Sequence, residues 1–172
     1  MTPARSEIQL AADFRDCITA LNARDVVFIL VGAYAVGWHG AVRATGDIDF
    51  LYQQSTANVE RLCAALRDFG APASAIDAEF MMSHEPIVQI GIAPVRIDFI
   101  ATLSGVTFAE VANGAIADSL DGLPLRIIGL ESLLRNKRST GRSKDKLDVR
   151  QLEKLALTQR GTTEFKPSKR TR

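Results

Sequence analysis

Two aspartates of this sequence lie two residues apart in a stretch whose composition is typical of a β-strand. Residues 43–51 read RATGDIDFL. Because strand side chains alternate between faces, Asp47 and Asp49 would share one face while Ile48 and Phe50 pack on the other. Two adjacent carboxylates repel each other, and a divalent cation removes that repulsion. Their oxygen atoms suit Mg²⁺ or Mn²⁺, which hold nucleotide phosphates through one or two carboxylates and water.

A third carboxylate follows in a second strand-like stretch, residues 95–100, which reads VRIDFI. Asp98 could point to the same face as Asp47 and Asp49. Three carboxylates could hold two metal ions, one on the phosphates of a nucleoside triphosphate and one that lowers the pKa of an attacking hydroxyl. The alternative is that each aspartate is a surface carboxylate on an edge strand. Charged groups seldom stand among large apolar residues unless they are paired or bound to metal, which favours the metal site.

The stretch before these aspartates predicts a buried strand that ends in a phosphate-binding turn. Residues 26–31 form an uninterrupted apolar run, typical of a strand covered on both faces. Gly32 ends the run, and without a Cβ it lets a ligand approach the backbone closely. The first amides of a helix beginning there would suit phosphate oxygens. The alternative for Gly32 is a plain turn glycine.

The hydrophobic pattern predicts an α/β (α+β) fold, with a mixed β-sheet flanked by helices and a C-terminal helical segment. Ser6 is the expected N-cap of the first helix. Further strands are expected at 86–92, 95–101 and 123–128, and helices at 6–24, 55–70, 107–113, 130–138 and 144–157. We expect a single domain at 1–158, with a core at 26–128 and C-terminal helices at 130–158, followed by a basic, disordered tail at 159–172.

The composition is that of an ordinary globular protein. The chain has 172 residues, a net charge of +1 and 47% hydrophobic residues, and nothing in these values points to nucleic acid. Cys17 and Cys63 lack metal-ligand spacing and are expected to be reduced core residues. Without a signal-peptide pattern or an apolar run of membrane-spanning length, we expect a cytoplasmic protein with no membrane association.

Two segments of the chain carry a resemblance to a known superfamily. The first runs from Gly32-Ala33-Tyr34-Ala35 through His39-Gly40 to residues 43–50, RATGDIDF, and the second comprises LLRNK at 133–137 and GRSKDKLD at 141–148. Together they resemble the polymerase β-type nucleotidyltransferases, and in particular the minimal AbiEii-type proteins, which are toxins of type IV toxin-antitoxin systems. The likeness spans roughly residues 26–155.

The resemblance implies a role for several residues. Asp47, Asp49 and Asp98 match the metal-binding, catalytic carboxylates, Gly32 matches the glycine of the phosphate-binding turn, and Lys137 matches a lysine near the nucleotide phosphates. The chain departs from the family at Ala33, where glycine or serine is usual. Ala33 still offers a backbone N–H to the nucleotide but has no hydroxyl.

Other side chains near these motifs could contact a nucleotide or have only local roles. Arg142 and Lys144 could neutralise a triphosphate or hold an acceptor's backbone, although a solvated basic face is the ordinary explanation. Arg43 and Thr45 could touch phosphate or simply fix the loop before the aspartates. Asp145 and Asp148 could pair with the nearby cations or cap the last helix. His39 is expected to be packed or hydrogen-bonded rather than catalytic.

The predicted function is metal-dependent transfer of a nucleoside monophosphate from a nucleoside triphosphate to an acceptor hydroxyl. The resemblance implies a tRNA end or a protein side chain as acceptor, a toxin role and a cognate antitoxin as partner. A small-molecule antibiotic nucleotidyltransferase is one alternative, although such an enzyme is expected to need a longer chain. Another alternative is an inactive module that binds a nucleotide or a partner protein.

Overall fold

The structure is a computed structural model that describes residues 8–41 and 44–163, the side chains of 159–163 excepted. Its strands, numbered in chain order, are β1 (Phe28–Val31), β2 (Asp47–Tyr52), β3 (Ile87–Ile92), β4 (Val95–Ile100), β5 (Ile116–Leu120) and β6 (Leu123–Ile127). Its α-helices are α1 (Ala12–Ala23), α2 (Gly32–Trp38), α3 (Thr56–Phe69), α4 (Ala78–Met81), α5 (Phe108–Gly114), α6 (Leu130–Thr140) and α7 (Ser143–Thr163). A short 3₁₀ turn spans Ala73–Ala75.

The strands of the described residues form one mixed sheet of six strands in the order β3-β4-β2-β1-β6-β5. β1 lies inside the sheet, antiparallel to β2 and parallel to β6, and all four of its residues are buried. This burial is why residues 26–31 read as a continuous apolar run. The predicted α/β class, the mixed sheet and the C-terminal helices are confirmed.

The pairing of β2 with β4 is the part of the topology that positions the aspartates. β4 runs parallel to β2 and antiparallel to β3, so β3 and β4 form the predicted hairpin at one edge of the sheet. β2 therefore has β1 on one side and β4 on the other. Asp47 and Asp49 of β2 therefore lie on the strand next to Asp98 of β4.

Two helices begin and end where the sequence predicts. At the start of α3, the Ser55 side chain accepts a hydrogen bond from the Asn58 amide, and Gly70 ends the helix in a left-handed conformation with φ +86°. At the start of α5, Thr107 and Glu110 form a reciprocal capping box. Both helices therefore have their terminal backbone groups satisfied by residues adjacent in sequence.

Other boundaries differ from the sequence prediction. Ser6 lies outside the described residues, and α1 begins at Ala12, because the Leu10 amide is instead held by the Asp121 carboxylate of the β5–β6 turn. β5 was not predicted, since it is an edge strand with mostly exposed residues and so lacks an apolar alternation. α7 continues to Thr163, beyond the predicted end at residue 157. No described helix has the length and apolar character needed to cross a membrane.

Candidate active site

The three aspartates lie on one face of the sheet, at the bottom of a cleft of about 540 Å³. Asp49 of β2 stands directly opposite Asp98 of β4 in the parallel register. Ile48 and Phe50, which alternate with the two β2 aspartates, are fully buried in the core. The strand period that the sequence indicates is therefore what brings the carboxylates together.

Arg96 is the residue of this cluster that the sequence analysis missed. Its guanidinium binds Asp98 at two points, with Nε to Oδ1 at 2.9 Å and an Nη2 to Oδ2 at 3.0 Å, and the same nitrogen donates to Asp47 Oδ2 at 2.9 Å. The sequence does indicate this contact, because Arg96 lies two residues before Asp98 and therefore on the same face of the strand. Arg96 also stands opposite Asp47 in the β2–β4 register.

Asp49 differs from its two neighbours because it has no hydrogen bond or ion pair within residues 8–41 and 44–158. Burial raises the pKa of Asp49 to about 6, and the nearby charges of Asp98 and Asp47 add to that rise. Lys137 and Arg96 act in the opposite direction but do not offset it. Asp49 is thus a partly buried carboxylate for which a cation would be stabilising.

Two glycines allow the strands of the site to approach closely. A Cβ on Gly32, whose φ is +66°, would stand 2.0 Å from Oδ2 of Asp49. A Cβ on Gly46, just before β2, would stand 2.5 Å from the backbone oxygen of Pro94, just before β4. A side chain at Gly46 would therefore force the backbone of β2 away from that of Pro94, and one at Gly32 would displace the Asp49 carboxylate. The glycine turn is therefore in contact with the carboxylate cluster itself.

Lys137 lies in the wall of the cleft but is enclosed by acids of α7. Its Nζ donates to Oδ1 of Asp145 at 2.7 Å and lies 3.1 Å from Oδ2 of Asp148. All three side chains are buried, and Thr140 donates a further bond to Asp145 at 2.6 Å. Burial works against ionisation of Asp145, but the hydrogen bonds from Lys137 and Thr140 hold its pKa below the ordinary value. Of the two roles open for Asp145 and Asp148, the structure shows that they pair with a cation.

Solved structures of one other protein, the antibiotic-resistance factor ANT(2'')-Ia, resemble this arrangement of strands and helices. Its solution structure gives a TM-score of 0.55 at 15% identity, covering 88% of this chain and 91% of that one. A crystal structure with adenylyl-2''-tobramycin gives 0.52 at 13% identity, covering 87% and 94%. The fold is nucleotidyltransferase-like. The structure of a protein from Thermotoga maritima gives a TM-score of 0.49 at 12% identity, which is too low to support the fold assignment.

At these sequence identities the structural matches establish the fold but not the activity, which depends on the residues of the site. No family model matches the chain. No curated protein sequence matches it either. The chemistry of this nucleotidyltransferase-like fold therefore has to be derived from its own side chains.

The other residues predicted to contact a nucleotide also line this cleft, as far as they lie within the described residues. Ala33 is buried, and the hydroxyl of Thr45 bonds the backbone of Asp47, which fixes the loop before β2. Arg142 and Lys144 are exposed at the cleft rim, on the turn between α6 and α7 and in its first residues. Arg43 lies outside the described residues.

The residues of the cleft fit a divalent cation, although they do not form a complete metal site as they stand. Within the described ranges, no group of three or more His, Cys, Asp or Glu side chains is arranged to hold a metal ion. Both oxygens of Asp98 and one of Asp47 are engaged by Arg96, whereas no residue within 8–41 or 44–158 donates a hydrogen bond to either oxygen of Asp49 or to Oδ1 of Asp47. These are hard oxygen ligands, which suit Mg²⁺ or Mn²⁺.

His39 has a structural role in this fold, as its position in the sequence suggests. Its Nε2 lies 2.8 Å from the backbone oxygen of Ile128, and its ring packs edge-to-face on Trp38. The contact joins the end of α2 to the segment after β6. His39 therefore does not line the cleft.

Proposed function

We propose that this chain is a metal-dependent nucleotidyltransferase, which moves a nucleoside monophosphate from a nucleoside triphosphate to an acceptor hydroxyl. The observation that carries the proposal is the convergence of Asp47, Asp49 and Asp98 beside Gly32 in one cleft. Nucleotidyl transfer needs positioning and charge neutralisation more than a special nucleophile. A carboxylate cluster, a glycine turn and nearby cations supply both.

Each part of the cleft has a role in this proposal. The β- and γ-phosphates would lie near Gly32 and Ala33, with the exposed Arg142 and Lys144 close enough at the rim to offset their charge. The α-phosphate would lie over Asp47, Asp49 and Asp98, which would hold one or two Mg²⁺ or Mn²⁺ ions. When bound, such ions polarise the phosphate and favour ionisation of the acceptor hydroxyl.

Asp98 is the carboxylate that we assign to the acceptor. It would accept the proton of the hydroxyl as the oxygen attacks the α-phosphorus in line, and pyrophosphate would leave from the opposite side. Because both oxygens of Asp98 are bonded to Arg96, this role requires the guanidinium to move away first. Lys137 would reach a phosphate only by exchanging its pairing with Asp145 and Asp148, and in the described structure it instead holds α7 beside the cleft.

The test is label transfer from α-labelled nucleoside triphosphates in the presence of Mg²⁺ or Mn²⁺. Wild-type protein would be incubated with each triphosphate and with total tRNA, cell protein or an aminoglycoside. We expect label on one class of acceptor, together with pyrophosphate release. Asp47→Asn and Asp49→Asn should each lower the transfer rate at least a hundredfold, because removing one ligand weakens both metal binding and charge neutralisation. Asp13→Asn, in the exposed first turn of α1, is the matched control and should transfer normally. Equal activity of all three variants would refute the proposal.

Two classes of acceptor are proposed, one from the sequence resemblance and one from a fold neighbour. The sequence resemblance supports a macromolecular acceptor, tRNA or protein, and a toxin that a cognate antitoxin neutralises. One fold neighbour is an antibiotic-resistance factor seen with adenylyl-2''-tobramycin, and in its solution structure 91% of that chain aligns with 88% of this one. The expectation that a small-molecule enzyme needs a longer chain is therefore wrong, and a hydroxylated small molecule remains a second acceptor class. The three acceptors of the transfer assay separate these possibilities.

A binding module without turnover is the second candidate function. It is favoured by one observation: Arg96 and Lys137, two cations that line the cleft with the aspartates, are both already paired with carboxylates. Metal-dependent triphosphate binding without pyrophosphate release from any acceptor mixture would support this candidate over the enzyme.

A further inference from the structure

The guanidinium of Arg96 lies where a cation shared by two of the aspartates would lie. It bridges Asp47 and Asp98 through three hydrogen bonds of 2.9 to 3.0 Å. Bidentate contact of this kind is the strongest form of Arg–carboxylate pairing. The carboxylate cluster is therefore partly neutralised before any metal ion arrives.

The charges of the cluster set how many divalent ions it can take. Asp47, Asp49 and Asp98 carry three negative charges when ionised, and Arg96 removes one of them. The remaining two negative charges balance one divalent cation and not two. A second divalent ion would give the cluster a net positive charge, which is unfavourable in a partly buried site.

The hydrogen bonds of the three carboxylates also indicate that the cluster takes one divalent ion while Arg96 is in place. Oδ2 of Asp98 accepts hydrogen bonds from Arg96 and Gln89, and Oδ1 accepts one from Arg96. These donors and the positive charge of the guanidinium oppose a divalent ion on Asp98 while Arg96 remains in place. Among the residues that the structure describes, none donates a hydrogen bond to either oxygen of Asp49 or to Oδ1 of Asp47. A first ion can therefore bind between the two β2 aspartates without displacing Arg96, whereas an ion on Asp98 must displace it.

We propose that Arg96 is a resident cation that limits the nucleotide-free protein to one divalent ion and keeps Asp98 closed until a nucleotide binds. The inference rests on the metal use put forward under the proposed function. The Arg96 side chain is 32% exposed and lines the cleft, so an arriving nucleotide can reach the guanidinium from solvent. An arriving triphosphate brings new negative charge to the same cleft, and the released guanidinium can pair with it. Nucleotide binding and opening of Asp98 are thus coupled.

The proposal is tested by counting bound Mn²⁺ through the loss of the free-ion signal in electron paramagnetic resonance. Wild-type protein should bind one Mn²⁺ per chain without nucleotide and two with a non-hydrolysable triphosphate analogue. Arg96→Met should bind two without nucleotide, or bind the first at least tenfold more tightly. Arg96→Gln keeps hydrogen-bond donors without the charge and should behave in the same way if the methionine variant does not fold. Arg24→Met removes another bidentate partner, that of Asp68, far from the cleft and serves as the control.

The outcomes separate this inference from the function on which it rests. Two Mn²⁺ ions on nucleotide-free wild-type protein, or unchanged or weaker binding by both Arg96 variants, would overturn the inference and leave the metal site standing. No Mn²⁺ bound by wild-type protein, with or without the analogue, would refute the proposed function as well. Binding that an Asp49→Asn variant loses confirms that the counted ions occupy this cluster.

Discussion

Asp49 is the residue whose environment has the clearest energetic consequence. Its carboxylate is partly buried beside two other carboxylates and has no hydrogen-bonding partner within the described residues. Folding without metal therefore stabilises the protonated form of this group relative to the unfolded chain, and its pKa rises from the ordinary value of 3.8 to about 6. When the pKa of an acid rises on folding, its ionised form lowers the free energy of unfolding at neutral pH. That free energy increases again as the pH falls and the folded protein takes up the proton.

We therefore predict that the metal-free protein gains stability from Asp49 as the pH falls from 7.5 to 4.5. The shift corresponds to at most about 3 kcal/mol, because one pKa unit is worth about 1.4 kcal/mol. Asp49→Asn mimics the protonated carboxyl and should be more stable than wild type at pH 7.5 and similar to it at pH 4.5. Urea unfolding in the presence of a chelator at both pH values measures the difference. A difference between the two proteins that does not change with pH would contradict the assignment.

Gly32 links the backbone turn to the same carboxylate, and a substitution there tests the link. Gly32→Ala should cost about 1–2 kcal/mol of stability because of its left-handed backbone. It should also weaken Mn²⁺ binding at least tenfold, since the new methyl group would occupy the position of Asp49 Oδ2. Gly70→Ala is the matched control, with φ +86° and no atom within 4 Å of the added Cβ. This control should lose similar stability and keep its Mn²⁺ affinity, and equal affinity of both variants would show that Gly32 is only a turn residue.

At the scale of elements, α6 and α7 are joined by ion pairs in two different surroundings. Lys137 pairs with Asp145 and Asp148 in the interior, whereas Arg138 pairs with Glu153 at the surface. Buried pairs are costly to break because the remaining charge has no solvent to compensate for it. Exposed pairs contribute little, since water and salt screen them. The inner pairs therefore contribute more than the surface pair to holding α7 against α6.

Asp145→Asn should accordingly lower the free energy of unfolding by about 3 kcal/mol, since it leaves Lys137 with a single carboxylate. Glu153→Gln breaks the outer pair between the same two helices and should cost no more than about 1 kcal/mol. Urea denaturation of the two variants at pH 7 gives the comparison. Losses of equal size would mean that the inner cluster is not the dominant connection.

At the scale of the whole molecule, the sequence predicted what depends on local periodicity and missed what depends on pairing between distant segments. The buried strand β1, the aspartates of β2 and the capped helix α3 were recognisable, because alternation and terminal residues are local signals. β5 was missed because an exposed edge strand has no apolar pattern. Arg96 was missed as a partner of Asp47 because their proximity comes from the β2–β4 register. The assignment of Asp47, Asp49 and Asp98 to a metal stays a prediction.

The enclosure of Lys137 by two acids has a consequence for how the cleft responds to ionic strength. Dissolved ions screen charges over about 8 Å at physiological salt, but only where they can approach those charges through solvent. Arg142 and Lys144 at the exposed rim are open to such screening, whereas Lys137 is 7% exposed and its field is fixed by Asp145 and Asp148. Raising the salt concentration would therefore weaken the attraction of the rim for an anion and leave the field of the inner wall almost unchanged. The cleft then loses reach toward distant phosphates, while the ion pairs that join α6 to α7 in its wall persist.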